Sequence, residues 1–184
     1  MDHYLDIRLR ANAGIGTNEL MATLFYKIHV WIARNANGRI ALSFPDMKKT
    51  PGARLRVHGC ESDLQAFSSG DWRRTVMLWI DLAQVCPVPA DTRHCMVARI
   101  QRKSAHNMRQ RAMRRDGLTL EQAMVRIPDT ATESLDLPYL YVQSASTGQR
   151  VRFFIKQSPA QPVAVKGAFS AYGLGKDGAT VPWF

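Results

Sequence analysis

The chain has 184 residues, 46% of them hydrophobic, and a formal net charge of +10 at neutral pH. This length suits one domain of ordinary size or two small ones, each with a buried core. No apolar run approaches the ~20 residues that a membrane-spanning helix needs, and the first residues lack the pattern of a secretory signal peptide. We therefore expect a cytoplasmic protein that has no membrane partner.

The cysteines and carboxylates argue against a metal site. Cys60, Cys86 and Cys95 are scattered, and no C-x-x-C pair occurs, so neither a disulfide framework nor a zinc site is expected. The carboxylates are few, and no close pair of them indicates a two-metal nuclease. The sequence thus predicts no metal and no other cofactor.

Strand and helix signals alternate over the first 90 residues. Residues 3–10 alternate between apolar and polar, which is typical of a half-buried strand, and residues 19–34 carry the apolar stripe of a helix. Strands at 40–44, 55–57 and 76–80 and a helix at 62–69 complete the series. The order strand, helix, strand, strand, helix, strand predicts a ferredoxin-like βαββαβ domain. A double-proline break at 87–89 places a domain boundary near residue 90.

The segment 93–115 holds most of the net charge. It contains eight basic residues and no acid, whereas residues 1–92 hold eleven basic and nine acidic residues and residues 116–184 hold six of each. A charge so concentrated indicates a surface that binds a polyanion. The alternative is a solvated basic face, but the absence of any acid within the segment disfavours a salt-bridged surface helix.

The segment 93–115 also has an ordered pattern. A helix over 104–115 places an apolar row on one side and a cationic row on the other: Ala105, Met108, Ala112 and Met113 against Lys103, Arg111 and Arg114, with Arg115 on the flank. A strand over 96–101 would bring Arg99 and Gln101 to one side. Arginine and glutamine have the forked donors that read guanine and adenine edges, so we expect nucleic-acid binding.

The remainder of the chain predicts a second α+β domain over 91–184. Thr119 and Gln122 form a capping-box pattern for a helix that ends before Pro128. Strands over 140–144 and 151–157 flank a turn rich in hydroxyl groups. The predicted fold class is therefore α+β, with a ferredoxin-like domain at 1–90 followed by a domain that carries the arginine-rich helix.

Three places could carry chemistry. His29 lies at the edge of the apolar stripe of the first helix, where an imidazole can exchange protons with a bound substrate; an ordinary boundary histidine is the alternative. Ser144, Ser146 and Thr147 cluster in the turn, where hydroxyls usually bond their own backbone but can also contact a phosphate. Tyr172 lies in a glycine-flanked loop and is either half-buried packing or a group that orients a histidine.

Segments along the whole chain match one known family in the same order. They are Met1-Asp2-His3-Tyr4-Leu5-Asp6-Ile7-Arg8-Leu9, Ile40-Ala41-Leu42-Ser43-Phe44-Pro45, Arg99-Ile100-Gln101, Met113-Arg114-Arg115, Arg126-Ile127-Pro128-Asp129-Thr130, Ser146-Thr147-Gly148-Gln149, Tyr172-Gly173-Leu174 and Val181-Pro182-Trp183-Phe184. In these segments the chain resembles the CRISPR-associated endoribonuclease of subtype I-F.

This resemblance implies a specific activity. The family cuts precursor CRISPR RNA at the 3′ base of the repeat hairpin without metal, giving 2′,3′-cyclic phosphate and 5′-hydroxyl ends, and it keeps its product within a surveillance complex of several subunits. His29 would transfer protons, Ser144 would hold the attacking 2′-hydroxyl, and Tyr172 would position His29.

The resemblance also implies an RNA-binding set. Ser146 and Thr147 would line the scissile phosphate, and Arg99 and Gln101 would read base edges at the foot of the stem. The other cations expected to bind RNA are Arg102, Lys103, Arg109, Arg111, Arg114 and Arg115. Two positions depart from the family pattern: Val151 stands where a stacking aromatic is expected, and Asp116 ends the arginine helix.

Two other functions remain open from the residues themselves. One is a non-catalytic subunit that binds structured RNA. The other is a DNA-binding helix-turn-helix over 103–127.

Overall fold

A computed structural model of the chain describes residues 1–10, 14–36, 38–143 and 148–184. These form two compact units. One comprises Met1–Arg99 together with Pro138–Phe184, and the other comprises Ile100–Leu137. This division by contacts falls elsewhere than the predicted domain boundary near residue 90, which stays a prediction.

Helices and strands are mixed along the described residues, which confirms the predicted α+β class. The helices are α1 (Thr17–Asn35), α2 (Glu61–Ser68), α3 (Ala105–Asp116) and α4 (Leu120–Arg126). The strands are β1 (His3–Leu9), β2 (Ala41–Ser43), β3 (Arg54–Gly59), β4 (Ile80–Leu82), β5 (Cys86–Pro87), β6 (Arg93–Ile100), β7 (Tyr139–Gln143), β8 (Arg150–Gln157) and β9 (Thr180–Trp183). Short 3₁₀ helices occupy Asp71–Thr75, Met77–Trp79 and Asp129–Ala131.

The first sheet of the larger unit has the strand order β2-β3-β1-β4, and β5 also pairs with β1. Its paired strands run antiparallel. The alternation seen in the sequence of β1 sets the register, because Leu5 lies opposite Val57 and Ile7 opposite Leu55, and all four side chains are buried. The half-buried first strand predicted from the sequence is confirmed.

The second sheet of this unit has the order β7-β8-β6-β9. Buried residues of both sheets and of α1 belong to one hydrophobic core. Phe25 of α1 shows the connection, since its ring lies 6.1 Å from that of Phe44 and 5.2 Å from that of Phe153 on β8. Cys95 on β6 belongs to the same core, where burial raises the pKa of its thiol to about 12.

Two predicted strands have different bounds. The strand predicted over 76–80 is wrong: Met77–Trp79 is a 3₁₀ helix, and the strand β4 begins only at Ile80. Val76 and Ile80 are buried while Leu78 is 78% exposed. The buried residues of this segment are therefore four positions apart, whereas a half-buried strand would bury every second residue. The strand predicted over 96–101 is β6, which ends at Ile100. Gln101 therefore lies outside the strand, and the pairing does not place it beside Arg99.

The smaller unit contains α3, α4 and the last 3₁₀ helix. The side chain of Ser104 accepts a hydrogen bond from the Asn107 amide at the start of α3, and Gly117 ends the helix in a left-handed conformation. Thr119 and Gln122 form the predicted capping box of α4. The buried residues of the smaller unit are all alanines, which allows the two short helices α3 and α4 to pack closely: Ala105, Ala112 and Ala123.

None of the described helices has the length and apolar character needed to cross a membrane. The cytoplasmic location stays a prediction.

The first sheet encloses a polar pair that the sequence did not reveal. The imidazole of His58 on β3 is fully buried, and its Nε2 lies 2.8 Å from the Ser43 hydroxyl on β2. Burial, aided by the nearby Arg56 cation, lowers the pKa of His58 to about 3. The other ring nitrogen has no partner among the described residues, so the neutral imidazole is the form that this core accepts.

This burial predicts a pH-dependent loss of stability. The unfolded chain takes up a proton at His58 near the ordinary pKa of 6.5, whereas the folded chain does so only near 3. The free energy of unfolding should therefore fall by about 1.4 kcal/mol for each pH unit below 6.5, until the folded protein also protonates. Urea unfolding between pH 7 and pH 4 measures this slope.

One variant isolates the contribution of His58. His58→Met removes the titrating group, so the free energy of unfolding should lose the fall of about 1.4 kcal/mol per pH unit that His58 causes. The variant is less stable overall, because Ser43 loses its partner. A wild-type slope that survives in His58→Met would contradict the assignment.

Candidate active site and basic helix

The imidazole of His29 is held at the edge of the core by α1. The buried residues of this helix include Leu24, Phe25, Ile28 and Ile32, and His29 is half-buried beside them, as the sequence predicts. Its Nδ1 lies 2.9 Å from the carbonyl oxygen of Ala171. A carbonyl oxygen can only accept, so Nδ1 is the donor, and in the neutral ring Nε2 then carries the lone pair. Nε2 makes no hydrogen bond to the residues that the structure describes, so this nitrogen can exchange a proton with a bound group.

The ring of Tyr172 lies against His29. The two ring centroids are 3.7 Å apart and the planes differ by 11°. Tyr172 is itself supported by Phe25, nearly parallel at 5.8 Å, and by Phe153, tilted at 4.9 Å. The tyrosine therefore restricts the imidazole through its ring face, and the core holds the tyrosine.

The loop 170–175 brings Ala171 and Tyr172 to this position. Its backbone is fixed at two points, because the Leu42 amide on β2 donates to the Gly173 carbonyl at 2.7 Å and the Gly175 amide donates to the Val97 carbonyl on β6 at 2.8 Å. Gly173 has a φ of +67°, and a Cβ there would lie 2.7 Å from Cγ of Leu42. Only glycine meets both demands.

Arg99 adds a positive charge next to these rings. This residue is exposed on β6. Its guanidinium carbon lies 4.7 Å from the centre of the Phe153 ring and 5.9 Å from that of Tyr172. We refer to His29, Tyr172, Phe153 and Arg99 as the His29 cluster. It combines a proton-transfer group with a cation, which is what a reaction at a phosphate group requires.

Ser144, Ser146 and Thr147, the hydroxyl residues predicted to act with His29, lie outside the described residues. The described chain stops at Gln143, the end of β7, and resumes at Gly148 before β8. Their predicted roles therefore stay predictions.

The cations of α3 differ in their surroundings. Arg111 and Arg114 are exposed, and neither has an acidic partner within 1–10, 14–36, 38–143 and 148–184. Arg115 is bound by Asp116 at 2.7 Å, and Asp116 also binds Arg126 at 2.8 Å. Hydrogen bonding to Arg115, assisted by Arg126, holds the pKa of Asp116 below its ordinary value. Acids that follow the basic segment thus neutralise part of it.

Arg109 has a different environment again. Its side chain is only 12% exposed, and it binds Asp129 at 2.8 Å while donating to the Ile127 carbonyl at 2.8 Å. The guanidinium thus ties α3 to the residues that follow α4. Gln101, Arg102 and Lys103 precede α3 as exposed residues.

A metal centre has no basis in the part of the chain that the structure describes. Histidine, cysteine and acidic side chains nowhere gather there in a group of three that could hold an ion.

Sequence reasoning missed the supports of the site. The Ala171 carbonyl and Phe153 have no local signal, because a backbone oxygen and one residue of an apolar strand look like any other. Phe25 has one: it lies four residues before His29 on the same helix, so it could have been expected beside it.

Comparison with known proteins shows the family to which the chain belongs. A family model described as "CRISPR-associated protein (Cas_Csy4)" matches residues 4–184. The chain therefore belongs to this family of CRISPR-associated proteins, and the resemblance noted in the sequence is confirmed.

Two relatives share the full length. A "CRISPR-associated endonuclease Cas6/Csy4" of Pseudomonas aeruginosa (strain UCBPP-PA14) is 42% identical over 188 residues, covering 100% of both chains. A protein of the same name from Escherichia coli (strain UTI89 / UPEC) is 39% identical over 185 residues, again covering both chains fully. The predicted class of enzyme, a CRISPR-associated endonuclease, is confirmed.

The loop 170–175 gives a testable prediction about Gly173. Gly173→Ala should lower the free energy of unfolding by about 1–2 kcal/mol for the left-handed backbone and by about 1–3 kcal/mol more for the crowding against the buried Leu42. Urea unfolding measures the loss.

Gly38→Ala is the matched control. Gly38 has a φ of +79° in the same unit, but an added Cβ would make only an ordinary contact at 3.7 Å. This variant should show the backbone cost alone. Equal losses for the two variants would contradict the close approach of Gly173 to Leu42.

Proposed function

We propose that this protein is a metal-independent endoribonuclease that binds the CRISPR repeat hairpin and cleaves precursor CRISPR RNA at the 3′ base of the stem. One observation carries the proposal. The imidazole of His29 is held through Nδ1 and stacked on Tyr172, and its Nε2, which makes no hydrogen bond to any described residue, is the atom that transfers the proton in this proposal.

The reaction uses a nucleophile that the substrate already contains. The ribose 2′-hydroxyl attacks the adjacent phosphorus, a new O2′–P bond forms, and the P–O5′ bond breaks. The products carry a 2′,3′-cyclic phosphate and a 5′-hydroxyl. Because the nucleophile is internal, alignment and proton transfer supply the acceleration. The 2′-hydroxyl loses its proton as it attacks, and the departing 5′-oxygen gains one to become the 5′-hydroxyl. In this proposal His29 takes part in that proton transfer, Ser144 holds the 2′-hydroxyl, and Ser146 and Thr147 line the phosphate.

The cations divide into two tasks. Arg99 lies within the His29 cluster, which favours a contact with RNA at the foot of the stem, where Gln101 also reads a base edge. Arg111 and Arg114, which are exposed, enter the groove of the hairpin, and Arg102, Lys103 and Arg115 contact its backbone. Arg109 serves the same surface largely by holding α3 in place through Asp129 and Ile127.

The finer description of the fold belongs to the same proposal. The antiparallel order β2-β3-β1-β4, with α1 after β1 and α2 after β3, supports a ferredoxin-like domain over 1–90. The residues from 91 onward form the RNA-binding domain with its arginine-rich helix α3.

Retention of the product follows from the same electrostatics. A hairpin held by several cations dissociates slowly, so we propose that the protein keeps its cleaved RNA and joins the other subunits of a type I-F surveillance complex in the cytoplasm. The concentrated charge of 93–115 supports this, since multiple phosphate contacts dominate the affinity of nucleic-acid complexes.

His29→Ala tests the catalytic proposal. Cleavage of a repeat hairpin in EDTA should fall by at least ~100-fold, because general acid–base catalysis contributes about that much or more, while the Kd for the hairpin stays nearly unchanged. A cleavage gel and a binding titration measure the two quantities, and mass spectrometry should find the cyclic phosphate on the wild-type product. Undiminished cleavage by the variant would remove His29 from the mechanism.

Variants of Tyr172 refine the same experiment. If the tyrosine acts by stacking on His29, Tyr172→Phe should cleave nearly as the wild type does, whereas Tyr172→Ala should lose rate without losing affinity. A large loss in Tyr172→Phe would show instead that the hydroxyl takes part.

Arg111 and Arg114 should dominate the salt dependence of binding. Each change to alanine should reduce the slope of log affinity against log salt by about 0.7–0.9, the value for one lost phosphate contact. Titrations between about 50 and 200 mM salt measure the slope.

Arg115→Ala provides the comparison. Since Asp116 already binds Arg115, its removal should change the slope less. Unchanged slopes in Arg111→Ala and Arg114→Ala would contradict a role for this face in RNA binding.

A further inference from the structure

The buried polar pair of the first sheet lies close in structure to the loop that holds His29. The His58 ring on β3 and the Ser43 side chain on β2 are fully buried, and His58 Nε2 lies 2.8 Å from the Ser43 hydroxyl oxygen. Buried polar groups cost stability unless a hydrogen bond compensates them, so two apolar side chains would fill the same space at less cost. What the polar pair adds is a directional bond between the two strands.

This bond favours one register of strand β2. The strand has only three residues and lies at the edge of the first sheet, where Ala41 is opposite His58 on β3. Side chains alternate between the two faces of a sheet, so Ser43 lies on the same face as His58 and within reach of its ring. A slip of one residue would move Ser43 to the other face and break the bond.

The register of β2 decides where the Leu42 amide points. Amides along an edge strand point alternately toward the neighbouring strand and away from it. The Leu42 amide points away from β3 and donates to the Gly173 carbonyl at 2.7 Å. The same slip would turn this amide toward β3, and the loop 170–175 would lose its attachment to the first sheet.

Gly173 directly follows the two residues that hold the imidazole. The Ala171 carbonyl accepts the hydrogen bond from His29 Nδ1 at 2.9 Å, and the Tyr172 ring stacks on the imidazole at 3.7 Å. Because peptide units are rigid and planar, a displacement of Gly173 also moves Tyr172 and Ala171. The contacts therefore form a continuous path from the polar pair to His29.

We propose that His58 is a positioning residue for the reaction at His29. Its hydrogen bond to Ser43 holds β2 in register, and β2 holds the loop 170–175 against the imidazole. The inference rests on the proposed function, because positioning matters only if His29 transfers the proton. His58 is fully buried, so it acts on the cleavage rate through these contacts and not through contact with RNA.

Single-turnover cleavage of the repeat hairpin near neutral pH, with the protein in saturating excess, tests the proposal. His58→Met should cleave about tenfold more slowly, since a small displacement of a catalytic group costs up to ~100-fold in rate, while the Kd for the hairpin stays unchanged. Ser43→Ala removes the same hydrogen bond and should show the same loss. His58→Gln keeps an amide that can bond Ser43 and should recover most of the rate.

Ile80→Ala is the control for lost stability. Ile80 is buried on β4, at the opposite edge of the first sheet from β2, so this variant also loses stability but leaves β2 intact. It should cleave at the wild-type rate at a temperature where thermal melting shows every variant to be folded. Equal slowing of Ile80→Ala and His58→Met would show that His58 is merely structural.

The nitrogen resonances of the His29 ring provide a readout that needs no RNA. In NMR spectra of the free protein they should shift in His58→Met and Ser43→Ala, because the bond from Nδ1 to the Ala171 carbonyl changes, and they should stay in place in Ile80→Ala. The double variant of His58 and Ser43 should lose no more rate than either single variant, since both changes remove one shared bond.

The outcomes separate this inference from the proposed function. Wild-type cleavage rates in His58→Met and Ser43→Ala, additive losses in the double variant, or unchanged His29 resonances would each overturn the positioning role. The proposed function fails by a different result, namely no cleavage of the hairpin by the wild type. In that case the ring resonances still show whether the polar pair controls the position of His29.

Discussion

The attachment of the loop 170–175 to both sheets is the constraint on which the site depends. Leu42 of the first sheet bonds Gly173 of this loop, and Val97 of the second sheet bonds Gly175, each through one backbone hydrogen bond. The loop then presents the Ala171 carbonyl and the Tyr172 ring to His29 on α1. The position of one imidazole therefore depends on segments that are far apart in the sequence: α1, the loop 170–175 and the strands that bind this loop. The Tyr172 ring keeps its place against His29 because Phe25 and Phe153 of the core pack on it.

The basic segment divides its cations between structure and binding. Asp129 and Asp116 bind Arg109 and Arg115, whereas Arg111 and Arg114 project from the helix without such acids in the described part of the chain. The segment 93–115 has no acid of its own, but acidic residues that follow it in the sequence form ion pairs with two of its arginines. Counting charges along a sequence overstates the number of cations that a partner can contact, since an arginine held by a carboxylate contributes less attraction.

Much of the fold could be predicted from local pattern. The alternation of β1, the apolar stripe of α1 and the capping box at Thr119 all appear as predicted, because each depends on residues within a few positions. The strand predicted over 76–80 was wrong because that prediction also depended on local pattern alone. Alternation alone does not distinguish a strand from a 3₁₀ turn when only Val76 and Ile80 reach the core.

The sequence by itself determined the α+β class, the concentration of charge in 93–115, the edge position of His29 and the resemblance to a family of CRISPR-associated proteins. Only the tertiary structure decided which nitrogen of His29 is held, that Tyr172 stacks on it, and which arginines of α3 have an acidic partner among the described residues. The reason is physical: periodicity and composition report how a side chain meets its own element, whereas a hydrogen bond between residues 29 and 171 depends on chain segments that folding alone brings together.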